Sequence, residues 1–232
     1  MLGDDLGELL GGRIPFDHSR QVLADHYAGR LLGARDAADP PRVMDLGCGA
    51  GDSVDPRVSW VGADIEDSAE VAGRTRTDAE FVSFDGRRLP FEDSSFELVY
   101  CKQVLEHVEH PRELMAEVAR VLRPGGHLAG STSQLEAFHS RSVFNWTPYG
   151  FTRAAEDAGL RVVELRPVID GFTLVAWRAL GLPRFFHRWW ARESPPYRAI
   201  ELAARAARLD ARTRNQIKLV LSGQFAFLAR LP

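Results

Sequence analysis

The chain has 232 residues, 45% of them apolar, and a formal net charge of −3. That is enough apolar material for one full core, and the slightly negative balance excludes a general polyanion binder. No stretch reaches the roughly 18 uninterrupted apolar residues of a membrane span. The start, Met1 to Asp5, lacks the basic and apolar pattern of a leader, and Cys48 and Cys101 fit neither a disulfide framework nor a zinc site. A single cytoplasmic domain over 1–232 is therefore expected.

In chain order, residues 1–41 read as a helical N-terminal segment. Asp17 or Ser19 is placed to cap a helix running to about Leu32, with Val22, Leu23, Tyr27 and Leu31 on one face; Asp39-Pro40-Pro41 stops it. Strands and helices then alternate, which argues for a parallel sheet covered on both faces. The strands are expected at Arg42–Cys48, Val58–Ile65, Glu80–Asp85, Phe96–Cys101, His127–Ser131, Arg161–Leu165 and Gln224–Leu231. An amphipathic helix from about Pro111 to Leu122 turns Leu114, Val118, Val121 and Leu122 inward, and Arg123-Pro124-Gly125-Gly126 ends it. Residues 172–214 read as a helical insertion before the last strand. Its first half, Phe172 to Trp190, is rich in large apolar groups and broken by Pro183; a second helix is expected from about Tyr197 to Arg212. Nine arginines against Glu193, Glu201 and Asp210 make this segment +6 and leave −9 for the rest. Such an arm suits a homodimer interface, an acceptor clamp or an interfacial membrane contact. Basic residues confined to one arm of a negative chain argue against nucleic acid.

The unusual residues fall at strand ends, where open α/β sheets gather their ligands. The first strand runs into Gly47-Cys48-Gly49-Ala50-Gly51, a turn whose glycines can take positive φ and let a ligand approach the backbone. Asp52 stands where a dinucleotide fingerprint would need its third glycine. Asp45 would meet a cation or an amine better than a pyrophosphate, or it orients the glycine loop. Asp64 closes the second strand, Asp85 the third and Cys101-Lys102-Gln103 the fourth. A carboxylate offers only acceptors and so suits vicinal hydroxyls. Asp45 and Asp64 are 19 positions apart with Pro56 between them, so the helix after the glycine turn is short or irregular.

This ordered series, with Leu89-Pro90-Phe91, Phe96-Glu97-Leu98-Val99 and Leu122-Arg123-Pro124-Gly125-Gly126 at familiar distances, spans roughly residues 42–165. It resembles the class I S-adenosylmethionine (SAM)-dependent methyltransferases, in particular the group called methyltransferase type 11. The resemblance implies a Rossmann-like, doubly wound α/β fold with seven mostly parallel strands, the last antiparallel. It implies SAM as cofactor, held by Asp45, Gly47, Cys48 and Gly49, with Asp64 on the ribose. Asp85 would meet the adenine amino group, Ile65 and Gly86 would line the ring, and the backbone of Cys101, Lys102 and Gln103 would pass beneath the sulfonium.

A hydroxyl acceptor needs a base near neutral pH, or a metal that lowers its pKa. His107, His110 and His139 are the candidates. His107 follows Glu106 in a common pair that shapes the pocket, and His110 opens a helix. His139, just past the fifth strand, is the favoured base, with Glu136 beside it. Glu136 and His139 could also hold a divalent ion such as magnesium, though two residues are a thin ligand set. The stretch Glu136-Ala137-Phe138-His139, followed by Asn145-Trp146-Thr147-Pro148-Tyr149-Gly150-Phe151, resembles saccharide O-methyltransferases of the methylmannose-polysaccharide kind. A saccharide hydroxyl is thus the first expectation for the acceptor. A lipid, quinone or polyketide-like molecule is the alternative, and a non-catalytic SAM-binding protein the third. Ser194-Pro195-Pro196-Tyr197 resembles an amino-methylation signature but lies far from the fourth strand and is set aside.

Overall fold

The computed structural model describes residues 7–33, 40–51, 58–66, 68–74, 80–136 and 140–232. Its centre is a seven-stranded sheet. The strands are β1 (Arg42–Leu46), β2 (Ser59–Ile65), β3 (Glu80–Phe84), β4 (Phe96–Lys102), β5 (Leu122–Ser133), β6 (Arg161–Pro167) and β7 (Gln224–Arg230). Their spatial order is β3-β2-β1-β4-β5-β7-β6. β7 pairs antiparallel with both β5 and β6, and the other pairs are parallel. The expected Rossmann-like sheet with an antiparallel last strand is therefore the one formed.

Alternation along the strands sends side chains to two layers. Met44, Leu46, Val99, Cys101 and Leu128 face one core; Val43, Leu98, Ala129 and Leu228 face the other. In chain order the helices are α1 (Ala24–Leu32), α2 (Ala69–Ala72), α3 (Pro111–Val121), α4 (Pro148–Asp157), α5 (Gly171–Ala179), α6 (Arg188–Ala191), α7 (Pro195–Ala206) and α8 (Ala211–Val220). Leu114, Met115, Val118 and Val121 of α3 are buried in the first core. Each contributes roughly 1.5–3 kcal/mol, which outweighs the marginal intrinsic stability of an 11-residue helix. Gly130 lets β4 and β5 close up: a Cβ there would sit 1.8 Å from the Cys101 carbonyl oxygen.

Two local expectations are corrected. Neither Asp17 nor Ser19 caps the first helix, because α1 begins only at Ala24 and its N-cap, Leu23, makes no side-chain bond. Asp17 instead accepts from buried Arg166 at 2.6 Å, and Ser19 donates to Glu201 at 2.8 Å. The Val22 N–H bonds the Pro167 carbonyl and holds this stretch extended. Second, Arg123-Pro124-Gly125-Gly126 belongs to β5, which starts at Leu122 directly after α3. The Ser94 and Ser95 N–H groups take the last carbonyls of that helix, and Leu122 pairs with Phe96.

Beyond β6 the insertion folds as α5, a 3-10 turn Arg184–His187, α6, α7 and α8. Residues 197–212, expected as one helix, are divided between α7 and α8, with Asp210 capping the second through Thr213 N–H. Fully buried Lys218 ties the insertion to the N-terminal segment, donating to Glu193 (2.6 Å), Glu201 (2.9 Å) and the Ser19 carbonyl (2.7 Å). Among the described residues no helix is long and apolar enough to cross a membrane.

Candidate active site

β1 ends at Leu46 and the chain turns at once. Gly47, Gly49 and Gly51 all take positive φ (72°, 50° and 82°), a region that side chains other than glycine enter at a cost. A Cβ on Gly47 would also lie 2.2 Å from Val104 Cγ2. The turn is fixed from β2: the Gly47 N–H donates to the Ala63 carbonyl at 2.7 Å. Asp64, at the end of β2, accepts from the Gly49 N–H through one carboxylate oxygen and from the Ile65 N–H through the other, both at 2.7 Å. Burial raises the Asp64 pKa, and those two N–H groups partly offset the shift. Each oxygen keeps a lone pair for a further donor.

Asp45 is 7% exposed. Burial, with Asp64 nearby, pushes its pKa up to about 7, against the pull of Lys102 and Arg74. Among the described residues no donor bonds its carboxylate, so an ammonium group is the natural complement. Beside Asp64, Ile65 is 43% exposed, and a Cβ on Gly86 would touch its Cγ2 at 3.6 Å. The two form an apolar shelf next to Asp85. Asp85 is exposed, and one of its oxygens accepts from the Arg88 and Arg87 N–H groups (2.8 and 2.9 Å), which lowers its pKa. These groups fit the nucleoside and amino-acid ends of SAM: acceptors for hydroxyls, an anion for an ammonium and a flat apolar seat.

The other expected contacts divide. The Cys48 thiol turns beneath the loop against Gly62 and receives Arg74 Nη1 at 3.5 Å; burial pushes its pKa up to about 11. The Cys101 side chain lies in the core, so only its backbone is available to a ligand. Lys102 is exposed, its Nζ 3.8 Å from Asp25 of α1. Gln103 takes a left-handed φ of 56°, and its N–H donates to the Ser131 carbonyl at 2.8 Å. Residues 52–57, including Asp52 and Pro56, lie outside the described residues, as does the short helix expected there. Arg74 lies under the turn, stacked on Phe81 at 4.7 Å and close to Gly51 and Gly62.

Of the expected bases, His139 lies outside the described residues. His107 sits in the turn after β4, its N–H on the Val104 carbonyl. His110 is beside Arg87 and Glu113 at the start of α3. Glu136 is 3% exposed and accepts from Arg178 (2.5 Å), Gln224 (2.7 Å) and Ser133 (3.1 Å). A carboxylate held by an arginine and two further donors serves as an anchor more readily than as a base or metal ligand. No group of three His, Cys, Asp or Glu residues able to hold a metal occurs among the described residues.

Sequence reasoning missed the buried polar network around Glu136. The Ser133 hydroxyl, with one proton to share, also lies 3.0 Å from fully buried Glu106, to which Thr132 donates at 2.9 Å, and the Gln103 amide fits with its nitrogen toward Glu106 and Ser133. The signal was present: Ser131-Thr132-Ser133 puts three hydroxyls in a row directly after the run Leu128-Ala129-Gly130. Next to this network, Trp146 donates to the Leu105 carbonyl at 3.1 Å. Trp146 and Phe144 wall a cleft of about 540 Å³ between the N-terminal ends of α3 and α4.

Residues 44–130 match the family described as "Methyltransferase domain". With the sheet order and the strand-end acids, this match places that region in the class of SAM-dependent methyltransferase domains. A demethylmenaquinone methyltransferase of Renibacterium salmoninarum is 34% identical over 123 residues, covering 49% of this chain and 52% of the relative. A ubiquinone biosynthesis O-methyltransferase of Hahella chejuensis is 36% identical over 112 residues, 44% of this chain and 47% of the relative. The chain thus spans about half the length of these curated relatives. A SAM-dependent methyltransferase structure from Aquifex aeolicus superposes with a TM-score of 0.53 at 14% identity, covering 100% of this chain and 95% of that one; likeness at that identity shows the fold.

Proposed function

We propose that the whole chain is a SAM-dependent methyltransferase acting on a quinone-like or related small unsaturated acceptor. The observation that carries methyl transfer is Asp64 gripping the glycine turn of a domain that matches this class. Asp64 would take the ribose hydroxyls, Asp45 the ammonium, and the Ile65–Gly86 shelf the adenine, with Asp85 at its rim. Bound SAM supplies a methyl group made electrophilic by its sulfonium. The chain's own part is to fix that group by these contacts, to hold the acceptor in line and to exclude water. His139 would remove the acceptor's proton, and Glu136 would fix the chain where it leaves β5. The quinone methyltransferases among the relatives, together with the Trp146–Phe144 wall, favour a flat unsaturated acceptor over the saccharide suggested by the 136–151 stretch, for which the relatives give no support.

Calorimetric titration with S-adenosylhomocysteine tests the donor site. Wild type is expected to bind and Asp64→Asn to bind about 10-fold or more weakly, the loss of one charged hydrogen-bond acceptor. No binding by folded wild type would reject the reading. Labelled-donor assays with hydroxyquinones and with methyl-free hexoses would then separate the acceptor classes, and unchanged turnover of His139→Ala would remove His139 from the mechanism.

A further inference from the structure

From Phe172 to Arg192 the chain carries Arg178, Arg184, Arg188 and Arg192 and no acidic residue. The same stretch exposes five large apolar side chains: Phe172 (64%), Val175 (62%), Leu180 (63%), Leu182 (47%) and Phe185 (56%). Phe172, Val175 and Ala179 recur at helical spacing on the outward face of α5, while Leu174 is buried in the core beneath. After the helix, Gly181 and Leu182 take positive φ (76° and 61°) and reverse the chain, leaving Phe185 outward. Trp177, Trp189 and Trp190 anchor the arm from below against the second core, with Trp177 edge-on to Trp190 at 5.0 Å. Arg188 lies over Phe185 at 5.7 Å and over Trp189 at 4.4 Å, so a guanidinium flanks the apolar groups. Scattered exposed apolar residues are ordinary, whereas a run of them rimmed by one sign of charge marks an interaction surface.

Charge chooses the partner. A second copy in a two-fold contact would set this positive face against itself. An anionic bilayer complements it, with apolar groups entering the headgroup boundary and guanidinium groups meeting phosphate. The arm is also placed to matter. β5 and β6 both run antiparallel to β7, so their C-terminal ends share one rim with the glycine turn. α5 starts from that rim, and Arg178 ties it to Glu136 just past β5.

We propose that this arm docks on an anionic lipid bilayer and turns the strand-end rim toward the membrane. The inference goes beyond methyl transfer, and its test involves neither donor nor acceptor, so failure of one reading leaves the other standing. The full chain is sedimented with vesicles of phosphatidylcholine alone and of phosphatidylcholine mixed with phosphatidylglycerol, at low and high salt. Binding is expected only to the mixed vesicles and is expected to weaken with salt. Each arginine near an anionic surface contributes on the order of fivefold, so Arg184→Ala with Arg188→Ala lowers binding about 25-fold. Phe172→Ser with Phe185→Ser also loses it. All four side chains are exposed, and a melting curve checks that the variants fold. Absence of binding, equal binding to both vesicle types, or wild-type binding by the arginine variant would overturn the proposal. So would a dimer that the phenylalanine variant dissociates, which would assign the face to a second copy.

Discussion

Asp45 and Asp64 show how two similar acids at neighbouring strand ends come to differ. Asp64 grips the glycine turn through the Gly49 N–H, while its other oxygen accepts from the Ile65 N–H; this is the loop-orienting task that the sequence left open for Asp45. Asp45 is buried with no donor to it among the described residues, and its pKa rises to about 7. Its folded value lies above the unfolded value near 3.8, so the folded state binds more protons in that interval. Linkage then makes its contribution least favourable above pH 7, with relief as pH falls from about 7 toward 4. Asp45→Asn is therefore expected to melt higher than wild type at pH 8, by up to about 4 kcal/mol of stability, with the gap roughly halved or better at pH 5 and closing only below about pH 4. Melting curves at the two pH values check this, and a gap that fails to narrow would contradict the assignment. The same variant is expected to bind donor less well at pH 8, where wild type presents the anion.

Among elements, the β4–β5 pair depends on one missing side chain. Gly130 faces the Cys101 carbonyl, and a methyl group there would also meet the Phe227 ring at 2.7 Å. Backbone at 1.8 Å cannot be relieved by a rotamer change, so Gly130→Ala should cost about 3 kcal/mol or more, read as a lower urea midpoint. The α5–β5 junction depends on a long-range ion pair instead. Removing Arg178 takes the guanidinium from the buried Glu136 carboxylate. Breaking such a pair costs about 3–5 kcal/mol, and partial exposure of Arg178 puts Arg178→Met toward the lower end. Equal urea midpoints for Arg178→Met and wild type would show that the pair holds nothing in place. Strand positions and the helix at α3 were legible in the sequence because alternation and helical spacing are properties of the local chain. The start of α1 was not. Asp17 looked like a cap, but Arg166, 149 positions away, claims it.

Across the whole molecule, a ligand that binds the folded state shifts its melting. At a hundredfold excess over its dissociation constant, S-adenosylhomocysteine should add about 2.7 kcal/mol. For a domain of this size that is about 5–10 °C, and Asp64→Asn should show little of it. A differential scan with and without the thioether reads this directly. The fold alone does not guarantee the outcome, since a superfold hosts unrelated chemistries; the strand-end acids carry the expectation.

By itself the sequence determined the alternating sheet, the glycine turn and the acid at the end of each of the first three strands. These follow from side-chain period, glycine's backbone freedom and strand polarity, all short-range properties. Only tertiary structure decided which acid grips the turn, that Glu136 accepts from Arg178 and Gln224, and that Ser19, Glu193 and Glu201 surround Lys218. Those outcomes depend on which buried charge finds which partner. Packing between segments that lie from 15 to 199 positions apart sets that pairing, and no local pattern encodes it.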